Sequence, residues 1–130
     1  MQKETDIVEI KFIDNSIFLK FNIFKFKTIK KNNLKNNVQT IVFSKCKQAL
    51  NISINKFNKN KLDVILDLLD VGILDLNLFF IKDLIDKLQN ELPDTLNKMY
   101  VINYNNAIKY FYTLISPFID PETKEKISFN

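Results

Sequence analysis

An acidic series near the middle of the sequence is the first candidate for chemistry. Its members, Asp63, Asp67, Asp70 and Asp75, follow one another at short intervals around an apolar run. Carboxylate oxygens are the ligands that hard cations such as Ca²⁺ and Mg²⁺ prefer. The same side chains could instead cap the following helix and solvate its loop. Because no second motif supports metal binding or catalysis, we predict no metal site and no catalytic residue.

Residue types that are rare or absent exclude most enzymatic mechanisms. The chain has no histidine, one cysteine (Cys46) and one glycine (Gly72). Ser-His and Cys-His nucleophile pairs and the usual Cys/His zinc sites are therefore excluded. A single glycine cannot build a Walker loop or a dinucleotide fingerprint. We predict a protein that is not an enzyme and needs no cofactor, with Cys46 a small apolar residue on a helix face.

Charge is distributed unevenly along the 130 residues. Residues 1–61 hold 13 Lys against 4 Asp and Glu, whereas residues 62–130 hold 6 Lys against 11. The basic half could be a solvated surface, or a face that meets an anionic membrane or nucleic acid. All 19 basic residues are lysine. This argues against sequence-specific DNA binding, because arginine makes the commonest specific contacts with bases. The interleaved Phe and Lys of residues 18–27 could stack on single-stranded bases or line a sheet core.

The first third of the chain predicts a β-hairpin and a helix. Residues 7–13 alternate partly, Asp14 to Ser16 signal a turn, and residues 18–29 continue as a strand. The apolar phase of that second strand flips after Ile23, which indicates a bulge or an edge bend. After a polar loop, apolar residues recur at helical spacing over residues 38–57.

The remainder alternates strands with helices, which favours crossover units and a parallel sheet. Strands are predicted at 62–69, 99–103 and 127–129, and a helix at 77–91. Gly72 is expected to supply the turn after the first of these strands, and Asn105 to cap a helix that ends at Ser116. We therefore predict one α/β domain over residues 1–130. Its sheet is mixed but mainly parallel, helices flank it, and a hairpin over residues 1–30 precedes the core at 34–129.

Two stretches of the second half resemble a known family. Residues 92–103, LPDTLNKMYVIN, resemble the segment YPERLGKLYIINAP of the CRAL-TRIO lipid-binding domain. Residues 116–127, SPFIDPETKEKI, resemble the family's KPFLDPETKEKI, and the spacing between the two stretches also matches. Residues 65–68, ILDL, look like the family's IMDLKG strand end. The resemblance covers about residues 62–129.

What the resemblance implies is a cradle for a lipid or another hydrophobic ligand, as in phosphatidylinositol- and tocopherol-transfer proteins. Family members that bind phosphatidylinositol hold its headgroup with residues that correspond here to Asp94, Thr123 and Lys126. These residue types suit such a headgroup, since a lysine ammonium neutralises a phosphate while hydroxyl and carboxylate groups form hydrogen bonds with inositol hydroxyls. Alternatively, Asp94 is an ordinary loop carboxylate, and Thr123 and Lys126 form a solvated helix face.

Departures from the family pattern leave a second function open. Leu92 replaces the family's Tyr, Asn97 replaces its Gly, and the sequence ends where the family's third strand begins. The resemblance also implies a mobile gate helix that closes over the lipid in family members. A core without this gate helix would leave apolar surface exposed, and such surfaces usually become interfaces. The alternative is therefore a protein-protein interaction module or homodimer without lipid transfer. We expect a cytoplasmic protein, because a lone thiol fits a reducing compartment, with possible peripheral contact to membranes.

Overall fold

Five strands form one mixed sheet in which the spatial order follows the chain order. The structure is a computed structural model that describes residues 7–14, 16–23, 35–72 and 78–130. Strand β1 is antiparallel to β2, and β2 to β5 are parallel to one another. The predicted mixed, mainly parallel sheet is thus confirmed. The strands are β1 Val8–Ile13, β2 Ser16–Asn22, β3 Leu62–Asp67, β4 Leu96–Ile102 and β5 Ile127–Phe129.

The helices that the structure describes all lie on one face of this sheet. A connection between adjacent parallel strands is almost always right-handed, and here each step moves one strand further in the same direction. Successive connections therefore place their helices on the same side. These helices are α1 Lys35–Phe57, α2 Leu78–Glu91, α3 Asn106–Ile115, a 3₁₀ turn Ser116–Phe118, and α4 Pro121–Glu125.

The N-terminal hairpin forms because both strands alternate in phase. Val8 pairs with Phe21 and Ile10 with Leu19, so one apolar face meets α1. Asp14 makes the turn with φ 54°. The predicted strand over residues 18–29 is confirmed as far as Asn22, and its expected phase flip falls mostly outside the described residues.

The main core lies where α1 covers β1, β2 and β3. Leu19 and Val8 on the sheet pack with Val42 and Ala49 of the helix, and all four are fully buried. Cys46 belongs to the same cluster, and burial raises the pKa of its thiol to about 12. A thiol that stays protonated is a poor nucleophile, so the structure agrees with the prediction of an apolar packing residue.

Asparagine and aspartate make the tight turns of this chain. Five of them have positive φ, between 54° and 63°, at positions where glycine would be usual. The prediction that Gly72 supplies the turn after β3 is wrong. Asp70 takes the left-handed conformation with φ 63°, and the Val71 amide donates to the Leu68 carbonyl at 3.1 Å. The five residues are Asp14, Asn58, Asp70, Asp94 and Asn103.

Candidate functional site

A cavity of about 310 Å³ lies between α2 and the helix-bearing face of the sheet. Its floor is the apolar side of β2, β3 and β4, and its walls come from α2 and α3. This volume is at the lower end of the range of about 300–1,000 Å³ usual for small-molecule pockets. Most of the lining is aliphatic, including Leu19, Val64, Met99, Leu84, Leu88 and Ile115.

One end of the cavity is polar, and it holds all three residues predicted to contact a headgroup. Asp94 precedes β4, whereas Thr123 and Lys126 lie in and after α4, just before β5. Because β4 and β5 are adjacent and parallel, the segments that enter them meet at the same edge of the sheet. We call this the amino edge, and the opposite end of the parallel strands the carboxyl edge. That these three side chains touch a ligand stays a prediction.

The loop that carries Asp94 is tied to the neighbouring strand. The Thr95 hydroxyl donates to the Leu92 carbonyl at 2.8 Å, which closes the turn after α2. The Thr95 carbonyl accepts from the Leu62 amide at 2.7 Å. Asp94 has φ 58° within this turn, a conformation that aspartate tolerates better than most residues.

The segment that carries Thr123 and Lys126 is fixed to β4. Pro121 occupies the start of α4, where its preset φ suits a first helical turn. The Lys126 amide donates to the Thr123 carbonyl at 3.0 Å, and the Lys126 carbonyl accepts from Met99 at 2.9 Å. With backbone positions held in this way, side chains three residues apart lie on one side of the turn.

Gln89 is a site residue that the sequence analysis missed. Its Nε2 donates to the Phe118 carbonyl at 3.3 Å, and its Oε1 accepts from the Asp120 amide at 2.9 Å. It therefore joins α2 to the segment that leads into α4, while also lining the cavity. The available signal was its spacing, because it continues the i, i+4 series of Ile81 and Ile85 on the buried side of α2.

Carboxylates outnumber lysines at the polar end. Asp94, Asp120 and Glu122 line the cavity there, against Lys126 as the cation. Within the described part of the chain, none of the hydrogen bonds and ion pairs uses the side chains of Asp94, Thr123 or Lys126. Burial raises the pKa of the Tyr112 hydroxyl on the cavity wall, so this group stays neutral at physiological pH.

The acidic series does not assemble a metal site in the residues that the structure describes. Asp67 instead accepts from the Asn103 side chain at 2.9 Å and the Leu69 amide at 3.1 Å, and pairs with Lys20 at 3.5 Å. Burial raises the pKa of Asp67, but these hydrogen bonds and the Lys20 charge outweigh it and leave the pKa lowered. Asp63 accepts from Asn97 at 2.8 Å, and Asp75 lies outside the described residues.

The CRAL/TRIO domain model matches residues 16–130, from the first residue of β2 through β5. The chain belongs to the CRAL/TRIO family. The resemblance seen in residues 92–103 and 116–127 is thereby confirmed.

Curated relatives match parts of this CRAL/TRIO domain. A CRAL-TRIO domain-containing protein of Schizosaccharomyces pombe is 45% identical over 49 residues, which are 38% of this chain and 5% of the relative. The phosphatidylinositol/phosphatidylcholine transfer protein SFH12 of Arabidopsis thaliana is 36% identical over 67 residues, 48% of this chain and 12% of its own length. The chain thus spans a small part of these relatives.

A solved structure supports the fold. The crystal structure of Sfh5 superposes with a TM-score of 0.72 at 19% identity, covering 96% of this chain and 49% of Sfh5. The fold of this solved structure is therefore shared by almost the whole chain. None of the described helices is long and apolar enough to span a bilayer.

Proposed function

We propose that the chain binds a lipid or another hydrophobic ligand, without catalysis, in the cavity beneath α2. The observation that carries this proposal is an apolar cavity whose polar end holds Asp94, Thr123 and Lys126 together. An amphiphilic lipid likewise has an apolar and a polar part, since its acyl chains favour aliphatic walls and its headgroup needs charged or hydrogen-bonding partners. Two Arabidopsis relatives named as phosphatidylinositol/phosphatidylcholine transfer proteins support a phospholipid as the ligand.

The lipid that we propose is phosphatidylinositol, whose headgroup is inositol phosphate. The Lys126 ammonium would pair with the phosphodiester, while Thr123 and Asp94 would bond to inositol hydroxyls. The neighbouring carboxylates of Asp120 and Glu122 would repel further phosphates on the ring. The ligand is therefore expected to be the inositol lipid without ring phosphates.

Lipid uptake measures this proposal directly. The purified chain is incubated with vesicles that contain phosphatidylinositol, phosphatidylcholine or phosphatidylinositol bisphosphate, re-isolated, and analysed by native mass spectrometry. We expect one phosphatidylinositol per chain and little bisphosphate. Leu88→Trp places a large ring in the cavity and should abolish uptake, whereas Leu69→Trp, exposed at the carboxyl edge, should not change it. Uptake of no lipid would refute the proposal, and preferred uptake of phosphatidylcholine would refute the headgroup assignment.

A protein-protein interaction module or homodimer is the second candidate. It is supported by the sheet face opposite the helices, where Phe18, Ile65 and Tyr100 are only half-buried and belong to neither core cluster. The Phe18 and Tyr100 rings lie 6.3 Å apart there. Light scattering of the purified chain tests this candidate, since a monomer at all concentrations would exclude the homodimer. The substitution Ile65→Asp introduces a negative charge on this face and should dissociate any dimer that uses it.

A further inference from the structure

The tip of the N-terminal hairpin exposes large apolar side chains. Phe12 is 56% exposed and Ile13 is 44% exposed, although both lie at the end of a strand whose beginning is buried. Ile54, near the end of α1, is 43% exposed. Exposed apolar side chains that are grouped rather than scattered often mark a contact surface.

Two contacts bring the end of α1 to the hairpin tip. The Lys56 ammonium lies 5.1 Å from the centre of the Phe12 ring, within cation-π range. The Lys59 ammonium donates to the Ser16 hydroxyl at 2.9 Å, and Ser16 pairs with Ile13 across the turn. Side chains alternate along a strand, so Phe12 lies on the helix-bearing face of the hairpin tip and Ile13 on the opposite face. We call Phe12, Ile13, Lys56 and the nearby Ile54 of α1 the tip surface.

The surroundings of the tip surface are basic. Lys11 precedes Phe12, and Lys56, Lys59 and Lys61 lie between the last turn of α1 and the start of β3, at the amino edge. The acidic residues beside them are Asp14 at the turn and Asp63 at the start of β3, while Glu9 pairs with Lys11 at 3.6 Å. The tip surface and its neighbours thus combine bulky apolar side chains with an excess of positive charge.

We infer that the tip surface docks the protein on an anionic lipid bilayer. Phe and Ile side chains gain free energy when they enter the boundary between headgroups and acyl chains. Lysine next to them keeps its ammonium at the headgroup level while its methylenes follow the apolar groups inward. Each lysine near an anionic leaflet strengthens binding about fivefold. Nucleic acid would supply the negative charge but no apolar phase for Phe12 and Ile13.

The topology gives this surface a position that suits lipid exchange. The hairpin tip lies at the start of β2, and the parallel register places the start of β2 at the amino edge. Asp94 and Lys126 precede β4 and β5 at that same edge. Three strand spacings, roughly 15 Å in all, separate β2 from β5. Docking by the tip surface would therefore turn the polar end of the cavity towards the bilayer.

A tryptophan reporter tests the docking, because the chain contains no tryptophan. Phe12→Trp places one indole in the tip surface. Leu69→Trp is the matched control, since Leu69 is 57% exposed but lies just after β3 at the carboxyl edge. With vesicles of phosphatidylcholine and phosphatidylserine, emission from position 12 should shift to the blue and be quenched by brominated acyl chains. Emission from position 69 should not change.

Charge reversal tests the electrostatic part. Adding Lys56→Glu to the Phe12→Trp chain should weaken vesicle partitioning about tenfold or more. Lys109→Glu makes the same charge change on α3 near the carboxyl edge and should weaken partitioning much less. Far-UV circular dichroism checks that each variant is folded, and Phe12→Trp alone already decides between docking and no docking.

Three results would overturn the inference: no shift at position 12 with anionic vesicles, an equal shift at both positions, or a shift with single-stranded RNA but not with vesicles. This inference concerns a surface outside the cavity, so it can fail separately from the proposed function. A chain that docks but retains no lipid refutes only lipid binding. A chain that takes up lipid while position 12 stays in water refutes only docking by the tip surface.

Discussion

Asp67 at the carboxyl edge of the parallel sheet and Asp94 and Lys126 at the amino edge use their polar groups differently. At the carboxyl edge, Asp67 bonds to Asn103 and Leu69 and pairs with Lys20. At the amino edge, the described hydrogen bonds and ion pairs do not involve the side chains of Asp94 or Lys126, which instead line a cavity. Polar groups that bond to one another stabilise the fold, whereas groups without such partners are available to a ligand. The comparison assigns Asp67 to stability and supports the proposed binding role of Asp94 and Lys126.

The largest expected effect is at the amino edge. Lys126→Gln should weaken binding of phosphatidylinositol by about tenfold or more, because a charge-assisted hydrogen bond contributes about 1.5–3 kcal/mol. The free energy of unfolding should stay within about 0.5 kcal/mol of wild type, as for most surface substitutions. Vesicle uptake and urea unfolding measure the two quantities. Lys109→Gln on α3 is the control, and a loss of stability in Lys126→Gln would remove the distinction between the edges.

The second effect is at the carboxyl edge and concerns stability. Asp67→Asn should lower the free energy of unfolding by about 1–2 kcal/mol, because it removes the charge that Lys20 pairs with and weakens two hydrogen bonds. Asp94→Asn is a matched substitution at the amino edge, and asparagine retains the tolerance of positive φ. We expect Asp94→Asn to unfold like wild type and to bind less lipid. The reverse pattern in urea titrations and uptake assays would contradict the comparison.

Substitution of Gln89 should give a smaller effect. This residue sharpens the comparison because its side chain both joins two segments of the fold and lines the cavity. Gln89→Ala should lower the free energy of unfolding by about 1 kcal/mol, since it removes two hydrogen bonds between α2 and residues 118–120. Uptake of lipid should fall as well, because α4 loses an attachment. Gln48→Ala, at an exposed position of α1, is the control. An unchanged thermal midpoint would show that Gln89 does not hold the polar end in place.

The smallest effect is a pH dependence. The pKa of Asp67 is lowered from its ordinary value of 3.8, so its stabilising effect is complete above that value and is lost as the pH falls through the folded-state pKa. The difference in unfolding free energy between wild type and Asp67→Asn should therefore be constant near neutral pH and shrink below about pH 4. Urea unfolding of both proteins from pH 6 to pH 2 measures this difference. A difference that persists at pH 2 would exclude the carboxylate charge as its source.

Much of the fold follows from local patterns. The hairpin turn, α1, α2 and the cap of α3 were predictable because alternation, helical spacing and capping residues act within a few positions. The Asn105 side chain accepts from the Ile108 amide at 3.1 Å, as a capping residue should. The resemblance in residues 92–103 and 116–127 added the family and three residues of the polar end.

Features that depend on distant contacts were not predictable. Strand β4 begins at Leu96 rather than Met99: Leu96 pairs with Leu62 and Lys98 with Asp63 of β3, and Asn97 is the extra residue at the register shift between them. Strand β3 ends at Asp67 rather than Leu69, because the Asp67 carboxylate accepts from the Leu69 amide and turns the chain. The cavity depends on the separation of α2 from the sheet, which no local pattern encodes.

The use of Asn and Asp in left-handed turns limits how the chain can vary. Asn103 sets φ at 57° after β4, and its side chain also donates to Asp67. Glycine at this position would keep the backbone turn but remove the donor. Most other residues would lose the turn as well as the bond. In a lineage drifting under selection for stability, position 103 should therefore accept few replacements, and substitutions at positions 67 and 103 should tend to occur together.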